Sequence, residues 1–482
     1  MSAVNNMKRF PKTFLLLLAL LLPFSALAAC GGKKQDPKPM ETSSEEITAA
    51  PAAYLEAADY GNAEFIILGS VADAEGGRHF SEFEGDLNGS HLDIAIYRRD
   101  VAIQDKHNVA FRINRTKDWN TMLREATLSN DSFFHIATPG ISNAVLSVAE
   151  GNVANLDDFP NFDFSNPWWN AEAMEQMSVL GKHLFAMGDL NLLAYDSVAV
   201  IFYNKQMAEN LGVTDLYERV QDGTWTYDSM MATVKDVTAD TSGDGVYGVG
   251  DTYGLAGGSY SALCFTFAGN YSFVQKDEDG IPTLRENNNE FFSFFQKVVK
   301  NHSDPTLIGY NLDDGDSLFG EQRLLFAVNM LGTSNDLRST QVSYGILPVP
   351  KWNAEQTDYW TFPHQSASTT VCAPIANHDV EMTSRIVEDL VHYSRENVLN
   401  YYIQENLYLK SLNGDRDSYN IVLDLLGHLN CDIFFSYRAG ITQVLRDSLD
   451  NHDGNITSKF EKYKGAFKSQ LAKVTAGLLE EN

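Results

Sequence analysis

Phe65-Ile66-Ile67-Leu68 is a short apolar run closed by Gly69, a pattern typical of a buried strand. Alternating apolar residues predict a second strand over residues 109–113, and apolar residues at helical spacing predict a helix over residues 119–126. A further apolar run at residues 133–136 ends before a Pro-Gly turn. Strand, helix and strand in this order predict βαβ units and a largely parallel sheet.

A second alternation of strands and helices begins with the apolar run from Val198 to Tyr203. We predict a helix that begins near Thr226, and another whose apolar face includes Phe291 and neighbouring aromatic residues. The C-terminus, from Phe460 onward, has one apolar stripe at helical spacing. We expect this stripe to pack against the folded unit that contains it.

The composition indicates a large folded protein. With 482 residues, the chain has room for two or three core-forming units. Its 44% hydrophobic content excludes a wholly disordered chain. The formal net charge of −28 argues against a nucleic-acid partner, because binding a phosphate backbone requires Lys and Arg.

The N-terminus carries the features of an export signal. Lys8, Arg9 and Lys12 form a positive region, and the apolar run over residues 14–22 is shorter than the roughly 18 residues of a spanning helix. The sequence LAAC, which ends at Cys30, resembles the bacterial lipobox, whose cysteine becomes a diacylated N-terminus. The alternative is an uncleaved anchor. We expect a lipoprotein signal peptide over residues 1–29.

Residues 30–60 are expected to form a flexible tether from the lipidated Cys30. This segment contains Lys, Pro, Ser and Glu without a periodic apolar face. The tether would hold a folded body at the extracytoplasmic face of the cell membrane.

The remaining cysteines do not form a metal-binding pattern. Cys264, Cys372 and Cys431 are widely spaced and odd in number, so at most one disulfide can form within the chain. We expect buried, reduced thiols.

No catalytic motif is supported by its context. Gly243–Gly248 fits G-x-G-x-x-G, but Asp240, Asp244 and Asp251 would repel a pyrophosphate. The sequence has no phosphate-binding loop with Gly-Lys-Ser/Thr, no His-Glu-x-x-His and no Gly-x-Ser-x-Gly. Pairs of acids occur by chance among 64 carboxylates, so they neither support nor exclude a glycosidase.

The same loop has the spacing of a calcium site. Asp240, Ser242 and Asp244 stand at alternate positions, Val246 could offer its carbonyl, and Asp251 is the twelfth residue. Oxygen ligands at this spacing suit a weak calcium site. The alternative is a polar turn, and no cofactor is otherwise required.

Six segments in order resemble the extracellular solute-binding proteins of bacterial ABC importers, in particular the family 1-like carbohydrate-binding lipoproteins. They are GKHLFAMGD at 181–189, DSVAVIFYNK at 196–205, GTWTYD at 223–228, DTSGDG at 240–245, YGILPVPK at 344–351 and VCAPI at 371–375. The chain departs from the simplest members in its longer segment beyond Arg395, which leaves the C-terminal packing open.

The resemblance implies an α/β fold of periplasmic-binding-protein type II, in which crossing hinge strands join two lobes and the ligand lies in the cleft between them. The crossings would fall near residues 192–200 and 366–372. Lobe one would then comprise residues 61–192 and 373–430, and lobe two residues 193–372 and 431–482.

A sugar site needs flat aromatic rings beside acids and amides. Candidates follow from their position near the implied crossings or from matching cleft loops of relatives: Trp168, Trp169, Asp189, Asn191, Gly332, Thr333, Trp360, His364, Gln365, Phe435 and Tyr437. Structural alternatives stand beside them. Trp168 and Trp169 could fill the core of lobe one, Asp189 could cap a turn, and His364 could be an ordinary satisfied polar residue.

These observations lead to the hypothesis of a lipid-anchored, monomeric receptor without enzymatic activity. It would bind a carbohydrate, expected to be an oligosaccharide, and deliver it to the membrane subunits of an ABC permease. The alternatives are an exported lipoprotein glycoside hydrolase and a cell-wall interaction module.

Overall fold

A parallel sheet forms from the first predicted strands. The computed structural model describes residues 54–70, 79–141, 147–148, 150–310, 312, 315–431 and 441–479. Strands β1 (Ala63–Ser70), β2 (Val109–Thr116) and β3 (Ile136–Ala137) pair in the order β2-β1-β3, all in parallel. Phe65 lies opposite Phe111, and Ile67 lies opposite Ile136. The predicted βαβ arrangement is confirmed.

The connection from β1 to β2 contains the helix His91–His107, whose start is fixed by local hydrogen bonds. The Ser90 hydroxyl accepts from the Asp93 amide, and the Asp93 carboxylate accepts from the Ser90 amide. At the other end, His107 is buried and lies 2.7 Å from the Asp389 carboxylate on the helix Val380–Tyr393. This contact joins two helices that pack together beside the first sheet.

The second sheet is mixed. It contains β4 (Ala199–Asn204), β5 (Tyr253–Gly257), β8 (Ile308–Tyr310), β9 (Leu324–Met330) and β10 (Tyr344–Leu347), in the order β10-β4-β9-β5-β8. Strand β4 is antiparallel to both of its neighbours, whereas β5 is parallel to β8 and β9. Every residue of β4 is buried, as its continuous apolar run indicated. A separate hairpin pairs β6 (Val274–Lys276) with β7 (Pro282–Leu284).

The predicted helices are also present. Thr226 caps the helix Tyr227–Val237, and Phe291 lies on the buried face of the helix Asn289–His302. The C-terminal helix Ile456–Leu479 packs against β7 and the helix Asn289–His302. The other described α-helices are Trp119–Ser129, Ala171–Met177, Leu192–Asp196, Lys205–Asn210, Leu216–Gln221, Ser259–Phe267, Gly315–Gly320, Thr333–Leu337, Arg416–Leu426 and Ile441–Asp450, with a 3-10 turn at Leu156–Asp158.

Two chain segments run side by side between the sheets. Near the first sheet, Ala186 pairs with Val371, and near the second sheet, Val198 pairs with Pro363, both in antiparallel fashion. The stretches between these pairs, residues 186–198 and 363–371, overlap the implied crossings near residues 192–200 and 366–372. Residues 50–482 hold together as one compact unit.

The segment after residue 393 departs from the expected division. Two π-helical segments, Ser394–Val398 and Tyr401–Ser411, lead to the helix Arg416–Leu426, which packs against β10 of the second sheet. The Ser418 hydroxyl accepts from the Ile346 amide of β10 at 2.6 Å. The expected extension of lobe one to residue 430 does not match these contacts, because this helix covers the second sheet.

Cys264, Cys372 and Cys431 are free and buried, as expected. Burial raises the pKa of the Cys264 and Cys372 thiols well above the ordinary value. None of the described helices combines the length and the apolar composition that a membrane crossing requires. The expected signal peptide, Cys30 and the tether before residue 54 lie outside the described residues.

Candidate functional site

A cavity of about 200 Å³ opens where the two crossings meet the end of β9. The first crossing, the second crossing, the loop after β9 and the segment before the helix His91–His107 all contribute to its wall. The lining residues are His79, Leu193, Asp196, Ser197, Met330, Gly332, Thr333, Asp336 and Ala367. The cavity is smaller than the roughly 300–1,000 Å³ of most small-molecule sites, so it suits a compact ligand or one part of a longer ligand.

Asp196 is held in the wall by contacts from distant parts of the chain. Its Oδ1 accepts a hydrogen bond from the Tyr402 hydroxyl at 2.9 Å. Its backbone carbonyl accepts from the Gly332 amide at 2.7 Å. A Cβ on residue 332 would overlap the Asp196 carboxylate, so glycine is needed for this close approach.

A polar pair lies at the rim of the cavity. His79 Nε2 is 3.6 Å from the Asp336 carboxylate on the helix Thr333–Leu337. The Asp336 side chain is 68% exposed, so this pair contributes little to stability. Together with the hydroxyls of Ser197 and Thr333, these groups can exchange several hydrogen bonds with a polar ligand.

Two predicted site residues, Gly332 and Thr333, lie in the cavity wall. His364 and Gln365 directly precede the implied second crossing and are close in sequence to the lining residue Ala367, but neither lines the cavity. The His364 amide donates to the Ser197 carbonyl at 3.0 Å, and the His364 ring packs against Tyr260. Burial lowers the pKa of His364, which favours the neutral ring.

The double tryptophan does not reach this cavity. Trp168 and Trp169 are buried in the core beside the first sheet, and their indole nitrogens donate to the two oxygens of Glu388 at 2.9 and 3.0 Å. Burial raises the pKa of Glu388 to about 7, against the lowering effect of these hydrogen bonds and of one from Asn166. Both tryptophans therefore fill the core beside the first sheet, which is the structural alternative given for them in the sequence analysis.

Asp189 and Asn191 are buried beside the first crossing, where they contact protein groups. Asp189 accepts from the Tyr195 hydroxyl at 2.9 Å and from Arg395 Nη1 at 2.8 Å. Burial raises the pKa of Asp189, although both hydrogen bonds act to lower it. Asn191 accepts from the Gly188 amide at 3.1 Å. Both side chains lie outside the cavity wall and stabilise the crossing.

The aromatic candidates among the described residues are not brought together. Trp360 packs edge-on against His428, with ring centroids 5.4 Å apart, and does not line the cavity. Phe435 and Tyr437 lie outside the described residues. Among the described lining residues, the imidazole of His79 supplies the ring.

Sequence reasoning missed Asp196, Ser197, Met330, Asp336 and His79. Asp196 and Ser197 open the quoted segment at 196–205, directly before the apolar run of β4. Polar residues placed directly before a strand at an implied crossing were the signal that could have identified them.

The proposed calcium loop is organised by its own amides. Asp240 accepts from the Gly243 and Gly245 amides, and Asp251 accepts from those of Ser242 and Gly248. Asp244 accepts from the amide of Val246, another expected ligand. Within the described part of the chain, no group of three or more His, Cys, Asp or Glu residues is arranged to hold a metal ion. Calcium binding stays a prediction, and the bonds agree with the polar-turn alternative.

Two α/β layers, joined by paired crossings with a cavity beside them, define the periplasmic-binding-protein fold. A sugar transporter from Rhizobium etli, solved in an open conformation, matches at 14% identity with a TM-score of 0.52, covering 86% of this chain and 98% of that one. A cyclic α-maltosyl-1,6-maltose binding protein from Arthrobacter globiformis matches at 12% identity and 0.52, covering 86% and 100%. A cyclo/maltodextrin-binding protein complexed with maltotetraose matches at 11% identity and 0.52, covering 87% and 97%.

These likenesses establish the two-lobed fold with its crossing hinge strands. No protein-family model matches the sequence, and a search of curated proteins by sequence also finds no match.

Proposed function

We propose that this protein is the lipid-anchored, extracytoplasmic binding component of an ABC importer and that it binds a carbohydrate in the cavity beside the crossings. The observation that carries the proposal is the composition of the cavity wall. Side chains from both crossings, from the loop after β9 and from His79 converge on one space whose wall combines polar and apolar groups. A ligand that contacts all of them stabilises the closed arrangement over an open one.

The chemistry of the wall supports a polyhydroxylated ligand. Carboxylates accept hydrogen bonds, and hydroxyls both donate and accept them. Sugar hydroxyls also donate and accept hydrogen bonds, so both kinds of group in the wall can pair with them. Leu193 and Met330 add apolar surface for the C–H groups of a sugar ring. The three similar structures described above include proteins whose names state sugar binding or transport.

The N-terminal sequence supports the proposed address. An expected signal peptide over residues 1–29, followed by Cys30 and an expected polar tether, fits a receptor that is held at the membrane and passes its ligand to permease subunits. In this proposal, calcium bound in the loop around Asp240 would have a structural role.

Thermal-shift measurements on the purified protein with neutral sugars of one to four units test the proposal. A sugar that binds the folded state raises the melting temperature, by an amount that grows with its concentration. We expect at least one sugar to do so, titration calorimetry to give one site per chain, and no reducing ends to be released.

Release of reducing ends would instead indicate a glycoside hydrolase. Absence of a shift with every sugar would contradict carbohydrate binding. Gly320→Ala is a suitable control for variants of the cavity, because a Cβ at this position would meet open space.

A further inference from the structure

A hairpin of lobe two and a turn of lobe one lie against each other. Strand β7 of the hairpin packs against the C-terminal helix Ile456–Leu479, and this helix packs against Asn289–His302, which contacts β8 of the second sheet. The turn follows the helix Ala171–Met177, which buries Met174 in the core beside the first sheet. The hairpin and the turn therefore move with different lobes.

The contact between them is centred on Lys276, the last residue of β6. Its Nζ donates to the Ser178 hydroxyl at 2.6 Å and to the Glu175 backbone carbonyl, and it lies 3.2 Å from the Glu175 carboxylate. These three oxygens match the three donors of an ammonium group. The Leu180 amide also donates to the Gly280 carbonyl at 3.0 Å. We call these contacts the clasp.

The row of chain segments at the lobe-two end of the crossings shows where the cavity lies. The Ala199 amide, directly after the first crossing, donates to the Phe362 carbonyl, directly before the second. On its other side Ala199 pairs with Met330, which lines the cavity. Thr361 pairs with Leu429. The two crossing segments therefore lie between Leu429 on one flank and the cavity on the other.

Lobe one contacts the flank that lies away from the cavity. Gln176 Nε2 donates to the Leu429 carbonyl at 3.1 Å, and Gln176 Oε1 accepts from the Cys431 amide at 2.6 Å. Gln176 is the neighbour of Glu175 in the clasp, and none of these residues lines the cavity. A rotation about the crossings that brings the lobes together at the cavity separates them on this flank.

We propose that the clasp, with Lys276 as its principal residue, stabilises the arrangement in which the lobes are apart at the cavity, and that it lowers the affinity for the ligand. Closure on a ligand has to break the clasp, so the ligand must supply the free energy of its bonds. The expected effect on affinity rests on the carbohydrate-binding function proposed above. The expected effect on the arrangement of the lobes does not depend on it.

The variant Lys276→Met tests the proposal, because it removes the ammonium group and keeps a long side chain. In titration calorimetry with the best neutral sugar of the panel, we expect binding to become tighter by roughly threefold, the effect of losing a partly exposed ion pair. Without sugar, small-angle X-ray scattering should give a smaller radius of gyration than for the wild type. Lys297→Met is the matched control, because Lys297 pairs with Asp228 within lobe two.

Gly280→Ala tests the clasp without changing a charge. A Cβ at this position would lie 3.0 Å from the Gly181 amide nitrogen and 3.2 Å from the Leu180 Cα, so it would push the hairpin away from lobe one. Binding should again become tighter. Gly212→Ala is the control, because Gly212 has nearly the same positive φ, 71° against 73°, and its Cβ would meet open space.

Salt gives a further readout that a merely structural role of Lys276 would not produce. Because dissolved ions screen partly exposed charges, the wild-type affinity for a neutral sugar should rise with the NaCl concentration. The affinity of Lys276→Met should respond less to NaCl, since the ion pair of the clasp is absent.

The outcomes separate the two proposals. Weaker sugar binding or a larger radius of gyration for Lys276→Met would show that the clasp holds the lobes together at the cavity, which would overturn the inference. Unchanged values in both measurements would overturn it as well. If no sugar binds, the carbohydrate-binding function fails, and the radius of gyration alone decides whether the clasp holds the lobes apart.

Discussion

Gly332 controls how closely the loop after β9 can approach the first crossing. We predict that Gly332→Ala weakens sugar binding by at least tenfold, because the added Cβ would displace the Asp196 carboxylate from the cavity wall. A tenfold loss of affinity corresponds to about 1.4 kcal/mol of binding free energy, which is the size expected when one hydrogen-bonding group is displaced. Titration calorimetry with the best ligand of the sugar panel measures the loss.

Gly320→Ala provides the matched control for this variant. It also replaces glycine by alanine near the second sheet, but its Cβ would meet no neighbouring atom. Its affinity should equal that of the wild type. Equal affinities for both variants would contradict the assigned position of Asp196 in the binding site.

Glu388 gives the first lobe a dependence of stability on pH. Its folded-state pKa of about 7 lies above the ordinary value of 4.5, mainly because the side chain is buried. The folded protein therefore binds a proton that the unfolded chain releases between these two values. The contribution of Glu388 to the free energy of unfolding is largest below pH 4.5 and falls as the pH rises to about 7.

We predict that wild-type stability falls more steeply between pH 4.5 and pH 7 than the stability of Glu388→Gln, whose residue 388 cannot ionise. The difference should approach roughly 3 kcal/mol at most, the equivalent of this pKa shift. Urea unfolding at several pH values measures it. Parallel pH profiles for the two proteins would show that Glu388 keeps an ordinary pKa.

Some residues of the cavity wall could be predicted from the sequence, and others could not. Gly332 and Thr333 were predicted because they match a loop of the resembled family. Asp196 was missed because one carboxylate among 64 has no local signature, and its role depends on Tyr402, 206 positions away. Trp168 and Trp169 were misleading, since their partner Glu388 lies about 220 residues further on.

At the scale of elements, Asp415 attaches the helix Arg416–Leu426 to two other helices, Lys205–Asn210 and Leu216–Gln221. Its carboxylate caps that helix and accepts hydrogen bonds from Lys205 at 2.6 Å and from Tyr217 at 2.5 Å. We predict that Asp415→Ala lowers the free energy of unfolding by about 1–3 kcal/mol, because a helix cap and partly buried hydrogen bonds are lost together. Equilibrium unfolding in urea provides the measurement.

Asp417→Ala is the control for this prediction. Asp417 is an exposed acid in the first turn of the same helix, so its removal should cost only the small interaction with the helix dipole. Comparable losses from the two substitutions would indicate that Asp415 does not anchor the helix.

The elements that the sequence predicted correctly have a strong local periodicity. β4 is a continuous apolar run, and the helix Asn289–His302 buries one aromatic face, so each is visible in a short window. The π-helical segment Tyr401–Ser411 has no such pattern. Its residues instead contact elements that are far apart in the sequence. Glu405 is bound to His91, at the start of the helix His91–His107, and Asn406 is bound to Arg338, directly after the helix Thr333–Leu337. Contacts of this kind depend on the completed fold.

At the scale of the whole molecule, the paired crossings determine how the two sheets can move. Glu82, near the first sheet, accepts hydrogen bonds from the Leu193 amide in the first crossing and from the Thr369 hydroxyl in the second. One buried carboxylate therefore connects both crossings at the level of the cavity. Because Leu193 also lines the cavity, these bonds lie next to the proposed ligand site, and movement of one crossing relative to the other would change them.

Hydrogen exchange measured with and without the sugar that binds best tests this arrangement. A ligand that contacts both crossings stabilises the arrangement in which the cavity is closed, so local opening there becomes rarer. We predict slower amide exchange over residues 192–198, 331–337 and 364–369. The helix Ile456–Leu479 lies outside the cavity wall and serves as the control, so the amides that exchange there by local opening should change little. Asp196→Asn under the same sugar concentration should show weaker protection of these three segments. Protection confined to another surface would contradict binding at the crossings, since a ligand elsewhere has no reason to slow exchange at these segments.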